Sequence, residues 1–249
     1  MLIQWINTGL RKIPTWVLYL ILLIPGLLTL AAGLTDNLGP EPINELEEEL
    51  GEFALKLLIL GLAVSPLLHF TRINLVRFRR AIGVMAFAYV MAHFLVWFLL
   101  DLQSLSHIWT EIAKRPYVTV GMAGFIAMIP LALTSNDLSV RRLGRFWRVL
   151  HRLTYLVAIL AGLHFIMLSK GFDVESLAHM VVILAFLALR IGKWRRGLQS
   201  GVQRLREKIL GRASAEPSRL YRIFVPVLTP GALYLLPVDA AFVIFVEMA

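Results

Sequence analysis

Three of the six histidines lie inside strongly apolar stretches of the chain, where an imidazole is costly unless its nitrogens have partners. His151 and His164 lie near the two ends of one helix-length run, and His93 lies in another. Imidazole is a common ligand of haem iron, which takes axial histidines from facing helices. The pattern therefore predicts a buried metal cofactor, and haem is the natural candidate.

Depth along the two runs pairs His93 with His164. His93 follows Arg80 by 13 residues and His164 follows Arg148 by 16, so they lie roughly 20 and 24 Å along their helices. Both runs are expected to cross the bilayer in the same direction, which places the two imidazoles at similar depth. We treat His93, His151 and His164 as candidate axial ligands of haem iron, with His93 and His164 as the preferred pair.

His151 fits this arrangement less well, because it lies only three residues past Arg148 and no histidine lies at its level on the other run. It also lies about 140° around an ideal helix from His164, so the two share a face only if the helix is distorted. The alternative for each histidine is a core residue bonded to a neighbouring carbonyl or hydroxyl. For His69, His107 and His179 we expect interfacial, solvated or packing roles, and no catalytic residue is predicted.

The elements that must position these residues are membrane spans. The chain is 58% hydrophobic and its mean hydropathy is +0.74, whereas soluble domains are about 45–50% apolar. Runs of nearly uncharged residues reach the length of about 20 that crosses the hydrocarbon core. The sequence predicts an all-α membrane protein, a six-helix bundle at residues 1–196 with spans near 14–34, 51–70, 81–100, 116–134, 148–168 and 177–194.

Charge is distributed as expected for a membrane protein. The net charge is +9, but the basic residues sit between apolar runs, which favours orientation in the bilayer and contact with anionic lipid over nucleic-acid binding. Lys and Arg concentrate at the N-terminus, in the second and fourth loops and after span six, which predicts cytoplasmic termini. Cysteine is absent, which excludes disulfides, thiolate haem ligands and cysteine-bound iron–sulfur clusters in this chain.

The C-terminal part changes character. Residues 197–212 form a basic stretch, expected to be a cytoplasmic linker or an amphipathic helix on the membrane surface. Residues 213–249 contain short apolar runs separated by prolines, which favours short strands over a spanning helix. We assign this tail no role.

Four segments carry a resemblance to a known family. They are RFRRAIGVMAFAYVMAH in span three, KRPYVTVG at the start of span four, ALTS at its end, and LGRFWRVLHRLTYLVAILAGLH in span five. In this order on six spans they resemble the MsrQ (YedZ) family, which belongs to the wider group with a ferric-reductase-like transmembrane domain. The likeness covers about residues 10–196, and the tail departs from the usual family length.

The resemblance implies a haem b protein of the bacterial inner membrane. Electrons would come from the quinone pool or a cytoplasmic flavin reductase. They would pass to a periplasmic molybdenum-cofactor partner of the MsrP type, which reduces methionine sulfoxide in envelope proteins, so substrate chemistry would belong to the partner. The family's haem histidines fall on His93, His151 and His164. Members are also associated with FMN, for which no residues can be assigned here.

Two alternatives remain open. The first is a reductase of ferric chelates or other small acceptors on the same scaffold. Such a protein would ordinarily need a cytoplasmic flavin and nicotinamide domain, for which the tail is too short. The second is a non-redox transporter or assembly protein, in which the histidines serve as a proton relay or as packing groups.

Overall fold

A computed structural model describes residues 2–35, 37–101, 114–169 and 173–190, and it contains no strand in these ranges. A 3₁₀ turn precedes α4 and a π turn follows it. The helices are α1 (Leu2–Lys12), α2 (Thr15–Leu34), α3 (Pro42–Thr71), α4 (Arg79–Val96), α5 (Pro116–Leu133), α6 (Asp137–Leu143), α7 (Arg145–Leu150), α8 (Leu153–Leu168) and α9 (Val174–Arg190).

Among the described residues, five helical segments are long and apolar enough to cross a membrane. They are Thr15–Leu34, Pro42–Thr71, Val76–Leu100, Pro116–Leu133 and Arg145–Leu168. The chain is thus a helical membrane protein. The sixth predicted span corresponds to α9, whose 17 residues end where the described part of the chain ends, so the six-span count stays a prediction. The expectations for residues 197–212 and 213–249 lie outside the described residues.

The second span begins earlier than predicted. α3 starts at Pro42, so much of the acidic segment 35–50 is helical rather than loop. Proline is favoured at the first position of a helix, and glutamates in the first turns interact favourably with the positive end of the helix dipole. Hydropathy alone missed these turns because they are charged.

The fifth span is not one continuous helix. A turn at His151 and Arg152 separates α7 from α8. The fifth span is therefore distorted at His151. It gives His151 surroundings of its own.

The Pro25–Gly26 step inside α2 has a specific partner on α4. The Tyr89 hydroxyl accepts a hydrogen bond from Gly26 N at 2.7 Å and donates to Leu22 O at 2.7 Å. These two backbone groups would bond to each other in an uninterrupted helix. A Cβ on Gly26 would lie 2.8 Å from the tyrosine ring, so the insertion requires glycine there.

α3 is the central helix of the bundle. It packs against α4, α9, α2 and α8, and α5 packs mainly against α8. Leu50, Leu62 and Val64 on α3 are buried. α2 instead leaves most of its apolar side chains exposed, among them Trp16 and Leu28, which is the pattern of a helix that faces lipid.

The basic segments lie at one end of the bundle. The Asn7 side chain of α1 donates to Arg72 O at 3.0 Å and accepts from Asn74 N at 2.9 Å. Arg80, at the start of α4, donates to Asp137, at the start of α6, at 2.7 Å. That bond holds the pKa of the Asp137 carboxyl below its ordinary value. The N-terminus, the second loop and the fourth loop therefore share one side, as the charge pattern requires.

Candidate metal centre

The structure brings the preferred pair of histidines together. The imidazole centres of His93, on α4, and His164, on α8, lie 6.3 Å apart with their planes at 80°. Both side chains are only partly exposed. Each reaches this position from a different helix, as their matched depths predict.

Both imidazoles use Nδ1 in the same way. His93 Nδ1 lies 2.8 Å from Glu47 O on α3, and His164 Nδ1 lies 2.8 Å from Tyr117 O on α5. A carbonyl oxygen only accepts, so Nδ1 carries the proton and donates in both cases. In a neutral ring this leaves the lone pair on Nε2 available for a metal. The Glu47 carboxylate lies 4.0 Å from His93 Nε2, beyond hydrogen-bond distance.

Each ring also lies directly on a glycine. A Cβ on Gly51 would be 3.0 Å from His93 Nδ1, and a Cβ on Gly121 would be 2.9 Å from His164 Nδ1. Each glycine lies four residues after the residue whose carbonyl accepts the bond, one helical turn further along. The same local arrangement thus occurs twice, once on α3 and once on α5.

The two helices that carry the histidines are not a closely packed pair. α4 packs chiefly against α3, and α8 packs chiefly against α5. Phe125 on α5 stacks on Phe94 of α4 with ring centres 4.7 Å apart. The two helix pairs therefore meet at an aromatic contact while each presents one imidazole to the other.

The distance between the two ring centres fits a metal held between two imidazoles. An imidazole nitrogen lies about 2 Å from the metal that it binds, and about 1 Å from its own ring centre. Two rings on opposite sides of one ion therefore have centres about 6 Å apart, close to the 6.3 Å between His93 and His164. In the described part of the chain, no group of three or more His, Cys, Asp or Glu side chains could hold a metal ion. A macrocycle that brings its own nitrogens matches this donor set better than a bare ion does.

His151 does not join this pair. Its Nε2 lies 3.1 Å from the Thr134 hydroxyl, and its ring stacks on Trp147 with centres 3.9 Å apart. The Thr134 hydroxyl donates to Pro130 O at 2.6 Å, so it accepts from His151. His151 thus uses Nε2 to donate to a hydroxyl, whereas His93 and His164 bond carbonyls through Nδ1.

The remaining histidines occupy varied surroundings. His69 packs edge-on against Phe70, as expected for an interfacial residue, and His107 lies outside the described residues. His179 is only 1% exposed, so it is a buried residue and not a surface one. Its Nδ1 bonds Glu175 O of its own helix at 2.9 Å, whereas His93 and His164 use carbonyls of neighbouring helices.

The sequence did not reveal the two carbonyl acceptors or Gly51. A backbone acceptor leaves no trace in residue type, and Gly51 resembles any glycine near the start of a span. Gly121 resembles any small residue at a contact between helices. The usable signal is positional, because both glycines are at the histidines' depth on an adjacent helix.

Comparison with known proteins shows the family of the chain. Residues 50–162 match the family model described as the ferric reductase like transmembrane component. The matched region includes His93 and His151. No solved structure matches the chain significantly. The helices define the class: a helical membrane protein, in which residues 50–162 are similar to a ferric reductase transmembrane component.

Curated relatives narrow the class to one family. The protein-methionine-sulfoxide reductase heme-binding subunit MsrQ of Agrobacterium fabrum is 45% identical over 177 residues, which are 71% of this chain and 82% of the relative. The MsrQ protein of Brucella ovis is 39% identical over 195 residues, which are 75% of this chain and 89% of the relative. The chain belongs to the MsrQ family.

Proposed function

We propose that this chain binds haem b through His93 and His164 and serves as the membrane electron-transfer subunit of a protein-methionine-sulfoxide reductase. The observation that carries the proposal is the pair of imidazoles with centres 6.3 Å apart, each with Nδ1 committed to a carbonyl. The relatives at 39–45% identity are named heme-binding subunits of this reductase, which supports the same assignment.

The chain's own contribution is to hold the cofactor. His93 and His164 would hold the haem, which would supply one-electron chemistry, and ligation by two histidines would favour electron transfer over oxygen chemistry. The carbonyls of Glu47 and Tyr117 orient the two rings. The stacked rings of Phe94 and Phe125 add apolar surface where the two helix pairs meet.

The position of the pair along the bundle supports outward electron flow. Glu47 and Tyr117 lie in the first turns of α3 and α5, at the end opposite the basic segments. We place the basic end in the cytoplasm of a bacterial inner membrane, with both termini there. Electrons then enter from the quinone pool or a cytoplasmic flavin reductase and leave to a periplasmic molybdopterin-dependent partner of the MsrP type. The family resemblance also implies FMN, but we assign no residues to its binding.

Electron delivery in membrane vesicles tests this role. Vesicles with the haem-loaded full chain are reduced with a quinol under anaerobic conditions, and the haem spectrum is followed. The purified periplasmic reductase with an oxidised protein substrate is then added. We expect rapid haem reoxidation only when the reductase and its oxidised protein substrate are both present.

The same assay separates the alternatives. The match to a ferric-reductase-like domain favours the small-acceptor reductase as second candidate. Equally fast reoxidation by a ferric chelate without the reductase would support that candidate and contradict ours. A chain that shows no Soret band after haem-replete expression would contradict both.

A further inference from the structure

We infer that Gly51 and Gly121 are positioning residues that fix the protonation and orientation of the two candidate haem ligands. The haem readouts of this inference rest on the proposed function. The readouts of histidine tautomer and folded protein need only the chain without haem. It concerns residues that touch the histidines and not the iron.

A methyl group added at either glycine would crowd the neighbouring histidine ring, more severely at Gly121. Real Cβ atoms essentially never approach a neighbour closer than 3.0 Å, and a Cβ on Gly121 would lie 2.9 Å from both Nδ1 and Cε1 of His164. On Gly51 it would lie 3.0 Å from His93 Nδ1 and 3.2 Å from Cε1. The obstruction falls on the edge of each ring that makes the carbonyl bond. A methyl group on residue 121 must therefore displace the His164 ring at its Nδ1 edge, whereas at residue 51 the His93 ring must give by a few tenths of an ångström.

The chemical consequence follows from that bond. Nδ1–H donation to Glu47 O or Tyr117 O selects the tautomer in which Nε2 holds the lone pair. It also makes the imidazole a stronger donor to a metal. The absence of a side chain at each glycine thus sets the ligand's tautomer, direction and basicity together.

The chain supplies matched controls on the same helices. A Cβ on Gly61 of α3 would meet Ile82 Cγ2 of α4 at 3.7 Å, and a Cβ on Gly124 of α5 would meet Leu160 Cβ of α8 at 3.6 Å. Both are ordinary contacts with the same partner helices. Gly61→Ala and Gly124→Ala therefore report the cost of an added methyl group in each helix pair, without a histidine ring.

Haem properties are the first readout. We expect Gly51→Ala and Gly121→Ala to weaken haem retention about 10–100-fold, the usual cost of losing an outer-shell partner. Their low-spin electron paramagnetic resonance g-values should shift and their reduction potentials should rise, because weaker donors stabilise ferric iron less. Both controls should match wild type. Glycine variants that also match wild type would overturn the inference.

Histidine tautomers give a readout without haem. In haem-depleted full chain with ¹³C,¹⁵N-labelled histidine, nuclear magnetic resonance should show His93 and His164 protonated at Nδ1. Gly121→Ala should move His164 toward the Nε2-protonated form. An unchanged His164 would overturn the inference even if the wild-type chain binds haem. A wild-type chain without haem would contradict the proposed function instead.

A double variant covers the case in which Gly121→Ala fails to accumulate. His164→Ala removes the ring that the new methyl group would strike. In that background Gly121→Ala should cost no more folded protein than Gly124→Ala does, since the coupling is between the glycine and the ring. Failure of Gly121→Ala in both backgrounds would show that this glycine serves another contact and would overturn the inference.

Discussion

The acceptor of Nδ1 separates the candidate ligands from the other buried histidine. His179 bonds the carbonyl four residues earlier in its own helix, which any helical histidine can do. His93 and His164 reach across to α3 and α5, so their rings are fixed relative to two helices at once. The sequence could predict which histidines share a depth. It could not predict this difference, because the acceptors are backbone atoms.

Tyr89 has a specific structural role outside the candidate metal centre, because its hydroxyl bonds two backbone groups of α2. Tyr89→Phe removes the hydroxyl that bridges Gly26 N and Leu22 O. Backbone groups left without partners in a low-dielectric environment cost about 1–3 kcal/mol. We expect a destabilisation of that size in thermal or detergent-induced unfolding of the purified protein.

Tyr117→Phe is the matched control for this prediction, because its hydroxyl accepts from the exposed Arg115. It keeps the carbonyl that holds His164. If Tyr89→Phe is no less stable than this control, the Tyr89 hydroxyl does not stabilise α2 at Leu22 and Gly26.

The helix pairs α3 with α4 and α5 with α8 position the two histidines. The sequence predicted part of this arrangement. Apolar runs predicted where the membrane helices lie, and matched depth predicted that the rings of His93 on α4 and His164 on α8 lie close together. The first turns of α3 were missed because their glutamates look like a loop, although they supply the Glu47 carbonyl. The turn at His151 was missed because it lies inside the run that was predicted to be one span.

Arg190 ties the last described helix to two others. It donates to the Tyr155 hydroxyl of α8 and to Leu62 O of α3, each at 2.9 Å. Lysine carries one compact ammonium in place of the guanidinium fork and does not reproduce both bonds. We expect Arg190→Lys to lower the free energy of unfolding by about 1–3 kcal/mol.

Unfolding in detergent measures this change, with Arg152→Lys as the exposed control. Equal stability of the two variants would mean that α9 is held by apolar packing alone. That packing is extensive, since Ile183 is fully buried.

Charge distribution orders the whole molecule across the membrane. The contacts of α1 with the segment after α3, and of Arg80 with Asp137, place three basic segments at one end. The pair of His93 and His164 lies toward the other end, against the first turns of α3 and α5. The positive-inside rule predicted this arrangement from residue counts alone. Which end faces the cytoplasm follows from the rule and not from the contacts.

The absence of cysteine makes this orientation easy to test, because an introduced cysteine is the only thiol in the chain. We expect Asn37→Cys, in the acidic first loop, to react with a membrane-impermeant maleimide in intact spheroplasts. Gln4→Cys and Leu138→Cys, both exposed at the basic end, should react only after permeabilisation. The reverse pattern would invert the proposed direction of electron transfer.

The most direct test of the account is haem content by pyridine haemochrome, with the low-spin spectrum, in wild type and single histidine variants. His93→Ala and His164→Ala should each lose the low-spin signal of the site, because each removes one of two axial donors. His151→Ala and His179→Ala should retain it, since neither ring belongs to the pair. Retention of the signal in both His93→Ala and His164→Ala would contradict the central claim that these two imidazoles grip one iron.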